Sequence, residues 1–308
     1  MIAINDIPGR QEWASITPIT AGWSEDEKYK VVTKDGGAYL LRVTAGKHLK
    51  KKEGEYNLLL ALKDYDIPVS KPVDFGTCDQ GRGVYMLLTW VEGQEAIGIL
   101  PGLDDKTQYQ LGVLSGQILK VIHSIDHPRP SWTWADRYNR KIDGKLKSYL
   151  DCGLEVDGFE QMIHFIQQNR HLLADRPITF QHGDYHIGNM VLDGSNQLGV
   201  VDFNRLDLGD PWEEFNRITW CAYYSPLFAT GRIDGYFDGD IPDDFFRLLA
   251  VYIGANQLSS IPWAKAFGQE EVDNMVEQAK LIVASYDRFQ SHIPKWYDST
   301  AFERFKGV

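Results

Sequence analysis

Cysteine is scarce in this chain of 308 residues. The three present, Cys78, Cys152 and Cys221, are odd in number and far apart, which argues against a disulfide framework and against a clustered thiolate metal site. A long apolar run is missing as well. No stretch approaches the roughly 18 uninterrupted apolar residues of a membrane span, and the opening MIAINDIPGRQEWASITPI has no basic region followed by an apolar one, as a secretion signal would. Basic residues run short in the second half. Residues 1–150 carry 20 Lys+Arg against 19 Asp+Glu, a net of +1, whereas residues 151–308 carry 12 against 24, a net of −12. Such a balance repels nucleic acid and attracts cations. The expectation is a cytoplasmic protein with neither nucleic acid nor membrane as partner.

What is present suffices for two lobes, since 43% of the residues are hydrophobic and the length exceeds one typical domain. Tyr29–Thr33 and Ala38–Thr44 read as a hairpin across Lys34-Asp35-Gly36-Gly37. Lys47–Leu62 has helical apolar spacing, Pro68 and Pro72 follow in an expected loop, and Val84–Val91 is a nearly continuous apolar strand. Strand, strand, helix, strand is thus expected for residues 1–93. Residues 94–308 read as a helical lobe, with amphipathic helices at Thr107–Ile125, Tyr138–Leu150, Gly158–Leu173, Phe245–Leu258 and Val272–Phe289. Asp210-Pro211-Trp212-Glu213 carries the signals that open another helix: a capping acid, proline at the first position and an acid at the third.

The run ITFQHGDYHIGNMVLD (178–193) and the following LGVVDFN (198–204) lie on short strands and a loop between those helices. They space Asp184, Asn189 and Asp202 at intervals of five and thirteen residues. That is the spacing by which kinase sites present one base and two magnesium ligands. A carboxylate such as Asp184 can accept the proton of a substrate hydroxyl and aim it in line at a γ-phosphate. Oxygen donors such as the Asn189 amide and the Asp202 carboxylate suit Mg²⁺, which neutralises phosphate charge. Two other readings stand beside this one. The three could be turn and strand-end residues, or His182-Gly-Asp184-Tyr-His186 could begin a zinc site of a hydrolase, although that leaves Asn189 and Asp202 without a role.

HGDYHIGN, GVVDFN and the later GDPWEEF together resemble the aminoglycoside phosphotransferase-like small-molecule kinases, relatives of choline, homoserine, fructosamine and macrolide kinases. The resemblance implies an α+β, bilobal protein-kinase-like fold with a nucleotide-binding lobe over 1–93 and a catalytic helical lobe over 94–308. It further implies Mg²⁺ as cofactor and ATP or GTP as donor. By the same match Asp184 is the catalytic Asp, and Asn189 and Asp202 are the metal ligands. Gly183 stands where protein kinases carry an Arg, and seven residues separate Asp202 from Asp210, too few for a phosphorylated activation loop.

In the first lobe the turn around Gly22 and Ser24 resembles the family's phosphate-covering turn, with Glu25, Asp26 and Glu27 expected to face solvent. Arg42 stands where many relatives have Lys, with Glu55 as the expected partner and Glu53 as the second choice. Leu88–Gly93 resembles the hinge, where backbone near Trp90 and Val91 would read the purine edge. For the acceptor, Asp238 and Asp240 are candidates, while Asp243 and Asp244 fit the first turn of a helix. The −12 balance points to a cationic acceptor, aminoglycoside- or macrolide-like. A metabolic kinase of an amino alcohol, sugar or homoserine, and a silent nucleotide-binding protein, are the alternatives.

Overall fold

The computed structural model describes residues 2–20 and 26–305. Its strands in chain order are β1 (Trp13–Ile19), β2 (Glu27–Thr33), β3 (Ala38–Ala45), β4 (Pro72–Cys78), β5 (Gly83–Thr89), β6 (Gln94–Glu95), β7 (Thr179–Gln181), β8 (Met190–Leu192), β9 (Leu198–Val200) and β10 (Asp207–Gly209). The helices are α1 (Leu49–Leu60), α2 (Ala96–Ile99), α3 (Asp105–His123), α4 (Trp134–Cys152), α5 (Phe159–Asn169), α6 (Ile218–Tyr224), α7 (Pro226–Phe237), α8 (Phe245–Ala264), α9 (Gln269–Ser285) and α10 (Ala301–Phe305). No helix among the described residues is long and apolar enough to cross a membrane.

The chain divides into two compact units, one of residues 1–95 with 189–206, the other of 96–188 with 207–308. A boundary drawn once, at residue 93, differs from this division by leaving 189–206 with the helical lobe. In the first unit an antiparallel sheet runs β1-β2-β3-β5-β4. Two of its strands, β1 and β4, lie outside the expected strand–strand–helix–strand order, and Pro72 opens β4 instead of lying in a loop. Proline is tolerated there because it stands at the first position of an edge strand. Alternation sorts the faces of β3. Leu41 and Val43 enter a core with Val31, Tyr85 and Leu87, so Arg42 between them points to the other face. Register then sets Lys28 of β2 and Met86 of β5 beside Arg42. A three-stranded sheet β6-β8-β9 completes this unit.

The second unit is helical around α8, whose residues Leu249–Ile253 are wholly buried. The pair α3 and α7 is set by glycine. Gly112 and Gly116 on α3, and Gly231 and Gly235 on α7, each lie so close to the partner helix that an added Cβ would fall 2.2 Å from a backbone oxygen of Phe228, Arg232, Tyr109 and Val113, respectively. Side chains at these four positions would hold the helices apart. The expected helices are present with ends moved by a few residues, but α7 was not foreseen. The helix expected from Asp210 begins as a 3₁₀ turn over Glu213–Arg217, with α6 starting at Ile218.

Candidate active site

Asp184 sits between β7 and β8 on a loop held from several sides. The Gly183 N–H donates to Glu214 Oε1 at 2.9 Å, and the Asp184 N–H donates to His182 Nδ1 at 3.2 Å. Tyr185, next along, is fully buried and donates its hydroxyl to Ser115 O at 2.7 Å. Arg232, buried on α7, donates from Nε to Ser115 Oγ at 2.9 Å and from Nη1 to Tyr185 O at 3.3 Å. The close α3–α7 approach therefore has a consequence at the loop: it brings Ser115 and Arg232 together, and both hold Tyr185.

The Asp184 carboxylate has Arg217 and His186 among its partners. Arg217 Nε lies 2.9 Å from Oδ1, and His186 Nε2 lies 3.3 Å from the same oxygen. His186 Nδ1 accepts the Gly188 N–H at 3.0 Å, which requires that nitrogen to be unprotonated. Burial lowers the His186 pKa, with Asp184 pulling the other way, so the ring is neutral. Trp220 lies over the His186 ring with centroids 4.3 Å apart. The Nδ1 atoms of both His182 and His186 are thus engaged by backbone N–H groups. Among the described residues no group of three or more His, Cys, Asp or Glu is placed to hold a metal ion, which leaves the zinc reading without a ligand set.

The GDPWEEF segment is structural as well as local to the loop. Asp210 is fully buried, takes a two-point ion pair from Arg176 (2.7 and 2.9 Å), and accepts the Tyr252 hydroxyl at 2.5 Å and the Trp212 N–H at 3.0 Å. This acid starts the turn that carries Glu214 and Arg217.

In the first unit Asn189 ends a 3₁₀ turn, and its carbonyl accepts the Val201 N–H at 3.0 Å, tying it to the residue before Asp202. Asp202 adopts φ 66°, a left-handed conformation that Asp tolerates better than most residues. Its carboxylate stands 3.7 Å from Lys28 Nζ and 3.8 Å from Arg42 Nη1. Lys28 and Arg42 are directly opposed across β2 and β3. Two like charges so placed repel, and Asp202 lies between them. Asn189 and Asp202 offer the hard oxygen donors that Mg²⁺ prefers, so the donor set fits that ion.

Arg42 does not pair with Glu55. Its Nε and Nη2 donate to Asp26 Oδ2 at 3.0 and 2.6 Å, and Lys52 Nζ donates to the same oxygen at 2.9 Å and to Glu55 Oε2 at 2.8 Å. Glu53 takes no part in this network. Asp26, expected in solvent, has a side chain only 6% exposed. Burial pushes its carboxyl pKa up, but Arg42 and Lys52 outweigh burial and hold it below the ordinary value. Helix α1 thus supplies a cation as well as an acid, and the buried acid comes from the segment before β2.

Gly22 and Ser24 fall outside the described residues. The Trp90 N–H donates to Ala38 O at 3.2 Å, so it is committed to the sheet, and Lys30 covers the indole at 4.4 Å. Val91 packs over Gly199, where an added Cβ would fall 2.3 Å from its Cγ1. Asp238, in left-handed conformation, ends α7 and pairs with Lys120 at 2.6 Å. Asp240 follows in the same exposed turn. Asp244 stands just before α8, not within it, and pairs with Arg247. Sequence reasoning missed Lys28, Asp26, Lys52, Glu214, Arg217 and Arg232. Only Arg217, four residues after Glu213 on a foreseen helix, left a spacing signal.

Residues 15–247 match the family described as "APH: Phosphotransferase enzyme family". A curated relative, aminoglycoside 3'-phosphotransferase of Niallia circulans, is 24% identical over 207 residues, covering 63% of this chain and 74% of the relative. Among solved structures, the GDP complex of aminoglycoside 2'-phosphotransferase-IIIa is similar with a TM-score of 0.66 at 14% identity, covering 91% of this chain and 95% of that one. An amicoumacin kinase in complex with AMP-PNP, Ca²⁺ and Ami is similar with a TM-score of 0.62 at 16% identity, covering 92% and 91%. The fold is therefore protein-kinase-like, and the chain belongs to the phosphotransferase enzyme family, as a phosphotransferase with an alcohol group as acceptor.

Proposed function

We propose that the protein transfers the γ-phosphoryl group of ATP or GTP to a hydroxyl of an antibiotic-like small molecule. The observation that carries this reading is the Asp202 carboxylate set between Lys28 and Arg42 on one face of the first unit's sheet. A carboxylate flanked by cations suits a metal–phosphate ligand, whose two charges need opposite partners. Asn189 and Asp202 would hold the Mg²⁺, which neutralises phosphate charge when bound. Lys28 and Arg42 bind phosphate oxygens. Asp184 orients the acceptor hydroxyl and takes its proton, and Arg217 together with neutral His186 keeps that carboxylate in one rotamer. Relatives bind either a guanine or an adenine nucleotide, which supports leaving both donors in the proposal.

The −12 total of residues 151–308 supported a cationic acceptor. At Asp184 itself the carboxylate is paired with a cation, Arg217, so the net charge of the half-chain does not by itself set the acceptor's charge at the site. The test is purified protein with Mg²⁺, ATP or GTP, and a panel of aminoglycosides, macrolides, amino alcohols, sugars and hydroxy acids, read by the mass of phosphorylated product. A product 80 Da heavier, as replacement of H by PO₃H₂ requires (~80 Da by composition), supports the reading. Metal-independent nucleotide binding with no product from any acceptor would overturn it.

A further inference from the structure

Lys28 and Lys30, two residues apart on β2, project to the same face of the first unit's sheet as Arg42. The three cations are committed to different degrees. Lys30 has its ammonium 4.4 Å over the Trp90 ring and 3.2 Å from Glu92. Arg42 gives Nε and Nη2 to Asp26, so only Nη1 faces Asp202, at 3.8 Å. Lys52, on α1 behind Arg42, is divided between Asp26 (2.9 Å) and Glu55 (2.8 Å), and the exposed Lys51 adds a longer pair to Glu55 at 3.9 Å. Lys28 is held by less. Among the described residues its ammonium makes no hydrogen bond, and its ion pair with Asp202, at 3.7 Å, is well beyond the about 2.7–2.9 Å of a closed charge-assisted bond. Of these cations Lys28 is therefore the one with least to lose by moving.

The Asp202 carboxylate is shared oxygen by oxygen. Oδ2 faces Lys28 and Oδ1 faces Arg42, neither pair closes to hydrogen-bond length, and among the described residues the carboxylate has no other partner. A dication taken up at either oxygen meets a positive charge close by, on side chains only 12% and 6% exposed, where water screens poorly. The donor set does little to offset this. It offers one carboxylate, Asp202, and one amide, Asn189, and Mg²⁺ on so few protein ligands relies on substrate phosphates to complete its shell. Phosphates also change what Lys28 prefers, since they offer its ammonium closer and more numerous anionic oxygens than Asp202 does. Arg42 stays where Asp26 pins it.

Resting on the kinase reading above, we propose that Lys28 gates Asp202. Without nucleotide its ammonium neutralises the carboxylate and keeps free divalent metal out. With nucleotide it turns to the phosphate oxygens and releases Asp202, so that metal and nucleotide are taken up together and not one after the other. Lys28 is thus a determinant of binding order, separate from Arg42, whose contacts with Asp26 fix its place on β3.

The experiment needs no acceptor and no turnover. Mn²⁺ alone is the probe, its free fraction counted by electron paramagnetic resonance in the presence of the full-length protein. Without nucleotide the wild type should bind Mn²⁺ weakly, and Lys28→Met, which keeps the side chain's length and removes its charge, should bind it at least about tenfold more tightly, the scale of one like-charge contact near a surface. Adding Asp202→Ala to Lys28→Met should cancel that gain. Lys34→Met, in the exposed turn between β2 and β3, should match the wild type. With AMP-PNP or GMP-PNP present the order should invert, the wild type taking up Mn²⁺ and nucleotide several-fold more tightly than Lys28→Met. Lys28→Met removes a cross-strand like-charge pair with Arg42, which favours folding; Lys28→Gln is the second variant and should behave in the same way, while Lys28→Arg, which keeps the charge, should stay close to the wild type in both measurements. Equal binding of free Mn²⁺ by the wild type and the two neutral variants, or a Mn²⁺–nucleotide affinity that they leave unmoved, would overturn the gate. Metal that fails to raise the wild-type affinity for either nucleotide overturns the kinase reading instead.

Discussion

Glu214 Oε1 receives the backbone N–H of Gly183 at 2.9 Å, one residue before Asp184, the proposed base. Glu214 is itself buried, with Oε2 3.7 Å from His123 Nε2, and His123 Nδ1 shares a hydrogen bond of 2.8 Å with the Tyr236 hydroxyl. A chain of polar groups, buried at Glu214 and His123, thus ends on the loop that carries Asp184. Removing its acid leaves a half-buried N–H without that acceptor, at a cost of about 1 kcal/mol, the low end of the range for a buried group. Glu214→Ala should therefore lower the urea midpoint by that amount of stability and reduce kcat at least tenfold. Glu214→Gln, which can still accept the bond, should recover most of both. Wild-type kcat in the alanine variant would show that the loop does not depend on Glu214.

Asp184 carries a sharper expectation. Removing a positioned base commonly costs two or more orders of magnitude, and Asp184 belongs to the second unit whereas Lys28, Arg42 and Asp202 belong to the first. Asp184→Ala should lose at least about a hundredfold in kcat while nucleotide affinity, measured by calorimetry, changes little. Near-normal turnover would remove Asp184 from the mechanism.

Much of this was legible along the chain because it is local. Spacing singles out Asp184, Asn189 and Asp202 as candidates, and alternation in Leu40-Leu41-Arg42-Val43 turns Arg42 away from the core. The partners of these residues were not legible, because long-range packing chooses them. Nothing near Arg42 in sequence shows that Asp26, sixteen residues earlier, outcompetes Glu55 for the guanidinium. The length of α1 places Lys52, not Glu55, next to that acid. Glu214 and Arg217 read as ordinary solvated charges of a helix start, and only the 3₁₀ geometry of Glu213–Arg217 turns them to the catalytic loop.

Metal dependence follows from the donor types. With oxygen ligands and no thiolate at Asn189 and Asp202, activity should require Mg²⁺ or Mn²⁺ and survive treatment with a zinc-selective chelator. Asp202→Ala should abolish the metal-dependent part of nucleotide binding. Stoichiometric zinc bound through His182 and His186, detected by elemental analysis, would contradict the hydrogen bonds assigned to both rings.

Asp26 tests the buried ionic network. Its removal takes away the buried acid that Arg42 and Lys52 share, leaving Arg42 only Asp202 at 3.8 Å and Lys52 only Glu55 at 2.8 Å, and breaking a buried pair costs up to about 3–5 kcal/mol. Asp26→Ala should lose stability on that scale and weaken nucleotide binding, since Arg42 is then free to move. The pH dependence has a definite sign. The folded pKa lies below the unfolded one, so the contribution is complete above the ordinary carboxylate pKa of 3.8 and is lost as pH falls through the folded value. Urea midpoints taken from pH 6 downward should fall less steeply in Asp26→Ala than in wild type at the acid end; parallel curves would exclude Asp26 as a contributor.

Two glycines in helices should respond to the same substitution with opposite signs. Replacing helical Gly by Ala gains about 1 kcal/mol in propensity, so the space around the new methyl decides the outcome. At Gly144, exposed on α4, a Cβ meets nothing within 4 Å, and Gly144→Ala should raise stability by about 0.5–1 kcal/mol. At Gly235 the Cβ would lie 2.2 Å from Val113 O and 2.6 Å from Val113 Cα, both backbone atoms that cannot rotate away. Overpacking of that kind costs 1–3 kcal/mol or more by the usual scale, about enough to exceed the propensity gain. Separation of α3 from α7 would also shift Arg232 from Ser115 and so loosen Tyr185 beside Asp184. Gly235→Ala should accordingly lower both the melting temperature and kcat, while Gly144→Ala raises the first and leaves the second alone. A stable, fully active Gly235→Ala variant would show that the α3–α7 contact is neither tight nor coupled to the catalytic loop.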